Sequence, residues 1–248
     1  MTPVAMVTGA ARGIGQDTAV ALARQGFDVA ICDLQPTPEP PGTFRSIREA
    51  GRQALYRQCD VSDRAQVEAF FTETIERLGR LDVLVNNAAL NIRKPLVELE
   101  VEDVARVWAV SQWGVFHCSQ LAARQMIRQG EGGSIVVISS VHAEQPYARS
   151  TSYNGAKAAV NQMARTWAVE LAPHRIRVNA IEPGWTDTPG ERAFFTEDQI
   201  REEGRKLPLG RLARPDEIAA AVCFLVSEQA AYITGSILRV DGGIVLPR

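Results

Sequence analysis

The sequence predicts a doubly wound α/β fold built on a parallel sheet, and three observations lead there. Short runs rich in β-branched residues alternate with longer segments of helical period. The short runs are continuously apolar rather than alternating, as expected of strands buried on both faces. A glycine cluster follows the first run directly and opens the first helical segment.

In chain order, the strand candidates are residues 4–7, 29–32, 54–59, 83–85, 134–138, 177–181 and 237–240. The helical stretches between them are 15–24, 65–77, 104–128, 154–171 and 215–226. Regular β-α alternation of this kind packs helices on both faces of one sheet. No repeat or linker divides the chain, so one domain over residues 1–248 is expected. Two stretches break the rhythm. Residues 35–42 contain Pro36, Pro38, Pro40 and Pro41, which replace the start of the helix after strand two by a surface loop. Residues 183–206 are too long for an ordinary connection and follow a strand's carboxyl end, where a lid over the ligand is expected.

Composition removes several function classes. With 27 Lys and Arg against 29 Asp and Glu, the formal charge is −2. That balance offers no basic surface to nucleic acid or to an anionic membrane. The longest apolar stretch, 218–226, falls far short of the roughly 20 residues a spanning helix needs. Residues 1–7 lack a positive leader and run straight into the glycine turn, which reads as a strand rather than a signal peptide. Cys32, Cys59, Cys118 and Cys223 each sit in an apolar run without metal-ligand spacing, so buried free thiols and a reducing cytoplasm are expected. His117, His142 and His174 form no metal pattern either.

The glycine cluster is Thr8-Gly9-Ala10-Ala11-Arg12-Gly13-Ile14-Gly15. A side chain at Gly9, Gly13 or Gly15 would obstruct the tight turn or the approach of a pyrophosphate, which the helix N-terminus then attracts. Asp33 closes strand two, where a carboxylate can accept hydrogen bonds from the adenosine ribose hydroxyls. Arg12 is a cation that could instead meet a 2′-phosphate. Asp33 should prevail, since its charge would repel that phosphate, and NAD is expected over NADP.

Thr8-Gly-x-x-x-Gly-x-Gly15, Asn86-Asn87-Ala88, Tyr153-x-x-x-Lys157 and Pro183-Gly184 occur in this order. With them the chain resembles the short-chain dehydrogenase/reductase family over essentially its whole length. The resemblance implies a Rossmann-type fold with a seven-stranded parallel sheet, a homotetramer, and hydride transfer between NAD and a small-molecule secondary alcohol or ketone. Tyr153 and Lys157 lie one helical turn apart on one face. A phenol has a pKa of about 10, and a nearby ammonium favours its ionised form. Tyr153 can then act as general base towards an alcohol and as general acid in reverse.

By resemblance, Lys157 also holds the nicotinamide ribose, Ser140 bonds the substrate oxygen, and Asp60 and Val61 bracket the adenine. Ser139 is the fallback for Ser140, although in an extended chain it should face the other way. Asn87 matches the asparagine after strand four, and Thr186 and Thr188 match contacts to the carboxamide end. Two positions depart from the pattern. Ala89 replaces the usual glycine and should tighten the nicotinamide side. Ser111 replaces the asparagine of the usual catalytic set, so the tetrad reads Ser111, Ser140, Tyr153, Lys157. A serine there can bond its own helix carbonyls and bend the helix, with Gly114 loosening the same turn. The segment from Val141 to Pro146 resembles the sugar dehydrogenase branch and makes His142 a candidate substrate contact. Two rival readings stand beside this one: an NADP-linked reductase of 3-oxoacyl thioesters, and a non-catalytic NAD-binding sensor or scaffold.

Overall fold

The computed structural model describes residues 1–35 and 42–246. Strand β1 (Val4–Thr8) pairs in parallel with β2 (Asp28–Asp33) on one side and β4 (Val83–Asn86) on the other. Strand β3 (Ala54–Gln58) lies outside β2. Strands β5 (Gly133–Ile138), β6 (Ile176–Pro183) and β7 (Ile237–Val240) extend the other wing, giving the order β3-β2-β1-β4-β5-β6-β7. Every pairing is parallel. The strand order reverses between β1 and β4, and a crevice forms there at the strands' carboxyl ends.

Helices α1 (Gly13–Arg24), α2 (Gly42–Glu49) and α8 (Pro215–Val226) cover one face, burying Leu22, Ile47 and Val222 against Val7, Ile31 and Val136. Helices α3 (Arg64–Leu78), α5 (Gly114–Gln129) and α6 (Thr151–Leu171) cover the other with Phe70, Met126 and Val160. A fully buried side chain such as Phe70 contributes roughly 1.5–3 kcal/mol relative to an exposed one. The Asp63 carboxylate starts α3 by accepting from the Ala65 and Gln66 amides, and Gly79 ends it at a φ of +85°. All four cysteines are free and buried.

Three local features depart from expectation. The helical stretch over 104–128 is two helices, α4 (Val101–Trp108) and α5, joined by a π-helical turn at Ala109–Trp113. Hydrophobic periodicity runs through such a turn and hides it. A short helix, α2, follows the proline-rich stretch, whose residues 36–41 lie outside the described ones. The long connection after β6 holds a further helix, α7 (Glu197–Arg205), with a Thr196/Gln199 capping box. Only Ile200 and Gly204 of α7 are buried, so its sequence carries little apolar signal.

Candidate active site

The glycine turn is built by close approach. A Cβ on Gly15 would stand 2.3 Å from the Gly9 carbonyl oxygen and 2.4 Å from Asn87 Nδ2, both impossible contacts. Gly9 and Gly13 have φ of +63° and +59°, the left-handed region that favours glycine. Asn87 ties β4 to this turn: its Nδ2 donates to the carbonyls of Thr8 (2.9 Å) and Gly9 (2.8 Å). Both amide hydrogens are therefore engaged in fixing the turn. Arg12 caps α1 without a side-chain bond to the helix, which leaves the first-turn amides without a side-chain acceptor. The Arg12 side chain itself is exposed. Asp33 Oδ2 accepts from the Ala11 amide at 3.0 Å, which holds this carboxylate beside the turn. A cradle that only glycine permits, open helix amides and an adjacent carboxylate fit a dinucleotide.

Asp60 Oδ1 accepts from the Ser62 amide and hydroxyl at 2.9 and 2.7 Å. The Val61 side chain is buried against α5, where a Cβ on Gly114 would lie only 2.7 Å from Val61 Cγ2. A side chain at Gly114 would therefore collide with Val61.

A cavity of about 430 Å³ opens beside the turn and gathers Ile14, Asn87, Ala89, Ser140, His142, Tyr153, Lys157, Thr186 and Thr188 in its walls. Gly9, Gly13, Gly15, Arg12, Asp33, Asp60 and Val61 stand outside those walls, along the ends of β1 to β3. Thr188 bridges the two regions, since a Cβ on Gly13 would lie 3.5 Å from Thr188 Cγ2. Thr186 is buried, and its hydroxyl bonds the Gly184 carbonyl.

Helix α6 carries the central pair. Lys157 is 1% exposed, and its ammonium donates to the Ile138 carbonyl at 2.7 Å. It lies 5.4 Å from the Tyr153 ring centre. One turn further on, Asn161 Nδ2 donates to the fully buried Glu182 carboxylate at 2.7 Å and anchors the helix on β6. The ammonium was expected to draw the phenol pKa down. Burial acts the other way: desolvation pushes Tyr153 up to about 12, opposed by the Ser140 hydroxyl, which favours the phenolate. Desolvation likewise pulls Lys157 down to about 8. Ser139 also lines the cavity, and its hydroxyl donates to the Lys157 carbonyl at 3.3 Å. The Ser140 hydroxyl accepts from the His142 amide at 3.2 Å and stays beside the cavity.

Ser111 lies in the π-helical turn, fully buried and outside the cavity wall. The expected bond to its own helix is absent. Instead the hydroxyl accepts from the Leu90 amide at 2.9 Å and donates to the Leu90 carbonyl at 3.0 Å. One side chain thus satisfies both backbone groups of a loop residue that has no strand partner. Ser111→Ala leaves both unpaired, so unfolding experiments should show a loss of about 1–3 kcal/mol. Equal stability would place the loop's anchor elsewhere.

His142 stacks on Tyr147 at 4.1 Å between ring centres and meets the Tyr153 ring edge-on at 5.2 Å. Among the wall residues that sequence reasoning missed are Asn91 and Arg93 after β4 and Trp185 and Glu191 after β6. Phe194 and Phe195, apolar in a charged stretch, were the one signal: the Arg93 guanidinium lies over both rings, at 4.5 and 5.8 Å.

Comparison with known proteins agrees over nearly the whole chain. The family model described as enoyl-(acyl carrier protein) reductase matches residues 9–245. The cis-4-hydroxycyclohexanecarboxylate dehydrogenase of Sinomonas cyclohexanicum is 42% identical over 241 residues, covering 97% of this chain and 95% of that protein. The L-2,3-butanediol dehydrogenase of Corynebacterium glutamicum is 36% identical and covers 99% of both chains. The crystal structure of acetoin dehydrogenase from Enterobacter cloacae superposes with a TM-score of 0.91 at 37% identity, over 100% of this chain and 97% of that one.

Proposed function

The chain belongs to the short-chain dehydrogenase/reductase family, and on that premise we propose that it reversibly oxidises a sugar or polyol at a secondary alcohol with NAD. It is an oxidoreductase acting on CH–OH groups. The observation that carries the finer reading is the convergence of Ser140, Tyr153 and buried Lys157 in one cavity beside the glycine turn.

Ser140 Oγ would hold the substrate oxygen, and Tyr153 Oη would take the alcohol proton or return it in the reverse direction. NAD would supply the hydride acceptor. Its pyrophosphate would lie on the α1 amides, its adenosine ribose against Asp33, its adenine between Asp60 and Val61, and its nicotinamide end near Thr186 and Thr188. Lys157 would hold the nicotinamide ribose hydroxyls and keep a positive charge behind the phenol. The connection 183–206 would close over the cavity as a lid. By resemblance to the family, the working unit is a homotetramer.

Cofactor choice rests on Asp33, because a 2′-phosphate placed against its carboxylate would be repelled. The kcat/KM with NAD should exceed that with NADP at least tenfold, about 1.4 kcal/mol. Asp33→Ala should narrow the gap by removing ribose hydrogen bonds and phosphate repulsion together. A wild type that prefers NADP would shift the assignment to exposed Arg12 and favour the thioester reductase instead.

A further inference from the structure

Two charged residues in the cavity wall have no part in the chemistry above. Arg93 and Glu191 come from loops far apart in sequence and pair at 2.8 Å, with side chains only 26% and 25% exposed. Taking charges out of water costs several kcal/mol per ion, so a mere tether between these loops would be better made of apolar contacts. The Arg93 guanidinium also lies over the Phe194 and Phe195 rings, a tether between the loops that does not need Glu191.

The pair is also under-used. Glu191 Oε1 accepts from Arg93 Nη2 and Oε2 from Trp185 Nε1 at 3.1 Å, about half of what a carboxylate can accept. Arg93 directs one N–H to Glu191 and keeps the rest of its donor fork. Both groups act on Tyr153 and on His142, with opposite signs, so they stand within electrostatic reach of the reacting phenol.

The neighbouring wall is rich in acceptors. Asn154 Nδ2 donates to the Tyr147 carbonyl, which makes Asn154 Oδ1 the acceptor for the Nδ1–H of His142 at 2.7 Å. Burial holds the imidazole below its usual pKa, so it is neutral with an acceptor lone pair on Nε2. Asn91 Oδ1 is buried with no partner among the described residues.

We propose that Arg93 and Glu191 together read a second hydroxyl on the substrate, which makes the enzyme selective for neutral polyhydroxylated alcohols. This deepens the proposed function and rests on it. A hydroxyl donates and accepts at one oxygen, so it can satisfy Glu191 and Arg93 at once. An alkyl group leaves their mutual bond in place but offers nothing to the remaining Arg93 donors and Glu191 lone pairs. A carboxylate only accepts, and it meets the Glu191 charge and the acceptors beside it.

Three four-carbon secondary alcohols separate these cases: butane-2,3-diol, butan-2-ol and 3-hydroxybutanoate, each assayed with the full-length enzyme at saturating NAD. Wild-type kcat/KM for the diol should exceed that for either of the others at least about tenfold, a modest ratio for a site that hydrogen-bonds a substrate hydroxyl. Glu191→Gln should collapse the diol preference to within about threefold and move the hydroxy acid up relative to butan-2-ol, since Arg93 then lacks its anion. Arg93→Gln reads the same ratio from the other partner. The ratio is the measure, because damage to the fold lowers all three rates together. Equal rates on diol and butan-2-ol in the wild type, a preference for the hydroxy acid, or full diol preference in both variants would overturn the proposal. If the wild type oxidises none of the three but does oxidise another secondary alcohol, the hydroxyl-reading role of the pair fails alone. If it oxidises no alcohol, the proposed function itself fails.

Discussion

Replacing Tyr153 by Phe should lower turnover by the 10²–10⁴ typical of losing a general acid–base group, while NAD binding is retained. The substitution keeps the ring and its edge-on contact with His142, so packing changes little. What disappears is the hydroxyl that, in the proposed reaction, passes a proton to or from the reacting oxygen. The phenol's high pKa, up to about 12 in the ligand-free protein, adds a pH signature. Oxidation requires the deprotonated phenol, so wild-type kcat/KM for alcohol oxidation should rise from neutral to mildly alkaline pH. The reverse reduction uses the protonated form and should not rise. A Tyr153→Phe enzyme with near-full turnover would remove Tyr153 from the chemistry.

Lys157→Met should pull activity and stability in opposite directions. Lys157 is buried with its pKa depressed from 10.5 to about 8, so the folded state carries a penalty for holding it charged. That penalty is fully present below about pH 8. Between about 8 and 10.5 the unfolded chain binds the extra proton, so stability climbs with pH and the penalty vanishes above that window. At roughly 1.4 kcal/mol per unit of pKa, the penalty is about 3 kcal/mol. Losing the bond to the Ile138 carbonyl returns about 1 kcal/mol. Lys157→Met should therefore stabilise the ligand-free protein by roughly 2 kcal/mol at neutral pH and fail to stabilise it in strong alkali. Turnover should drop at least about 10²-fold, with weaker NAD binding. A variant as active as the wild type, or destabilised at neutral pH, would contradict the account.

The strands were legible because a buried parallel strand shows as a short apolar run bounded by turns, whereas the longer apolar run over 218–226 lies in helix α8. Helices α2 and α7 were not, since each buries two residues and the rest of each is polar or charged. The π-helical turn was invisible for a different reason: its departure lies in backbone winding, while Val107 and Val115 on either side keep a helical spacing. In the site, Gly15, Asp33, Tyr153 and Lys157 declared themselves because fixed geometry binds them to short spacings. Arg93 and Glu191 meet only after β4 and β6 bring their loops together, and no spacing encodes that meeting. The direction of the Tyr153 pKa was misjudged because a sequence places the ammonium beside the phenol without revealing how completely both are buried.

A single turnover separates hydride transfer at this site from mere binding of NAD. Enzyme in excess is mixed with NAD and butane-2,3-diol, and NADH is followed by absorbance in the wild type and in Tyr153→Phe. NADH should form in the wild type, slowed by deuterium at the carbinol carbons, and at least about 10²-fold more slowly in the variant. Saturable NAD binding with no NADH formed from any secondary alcohol would contradict hydride transfer and leave a sensor or scaffold in its place.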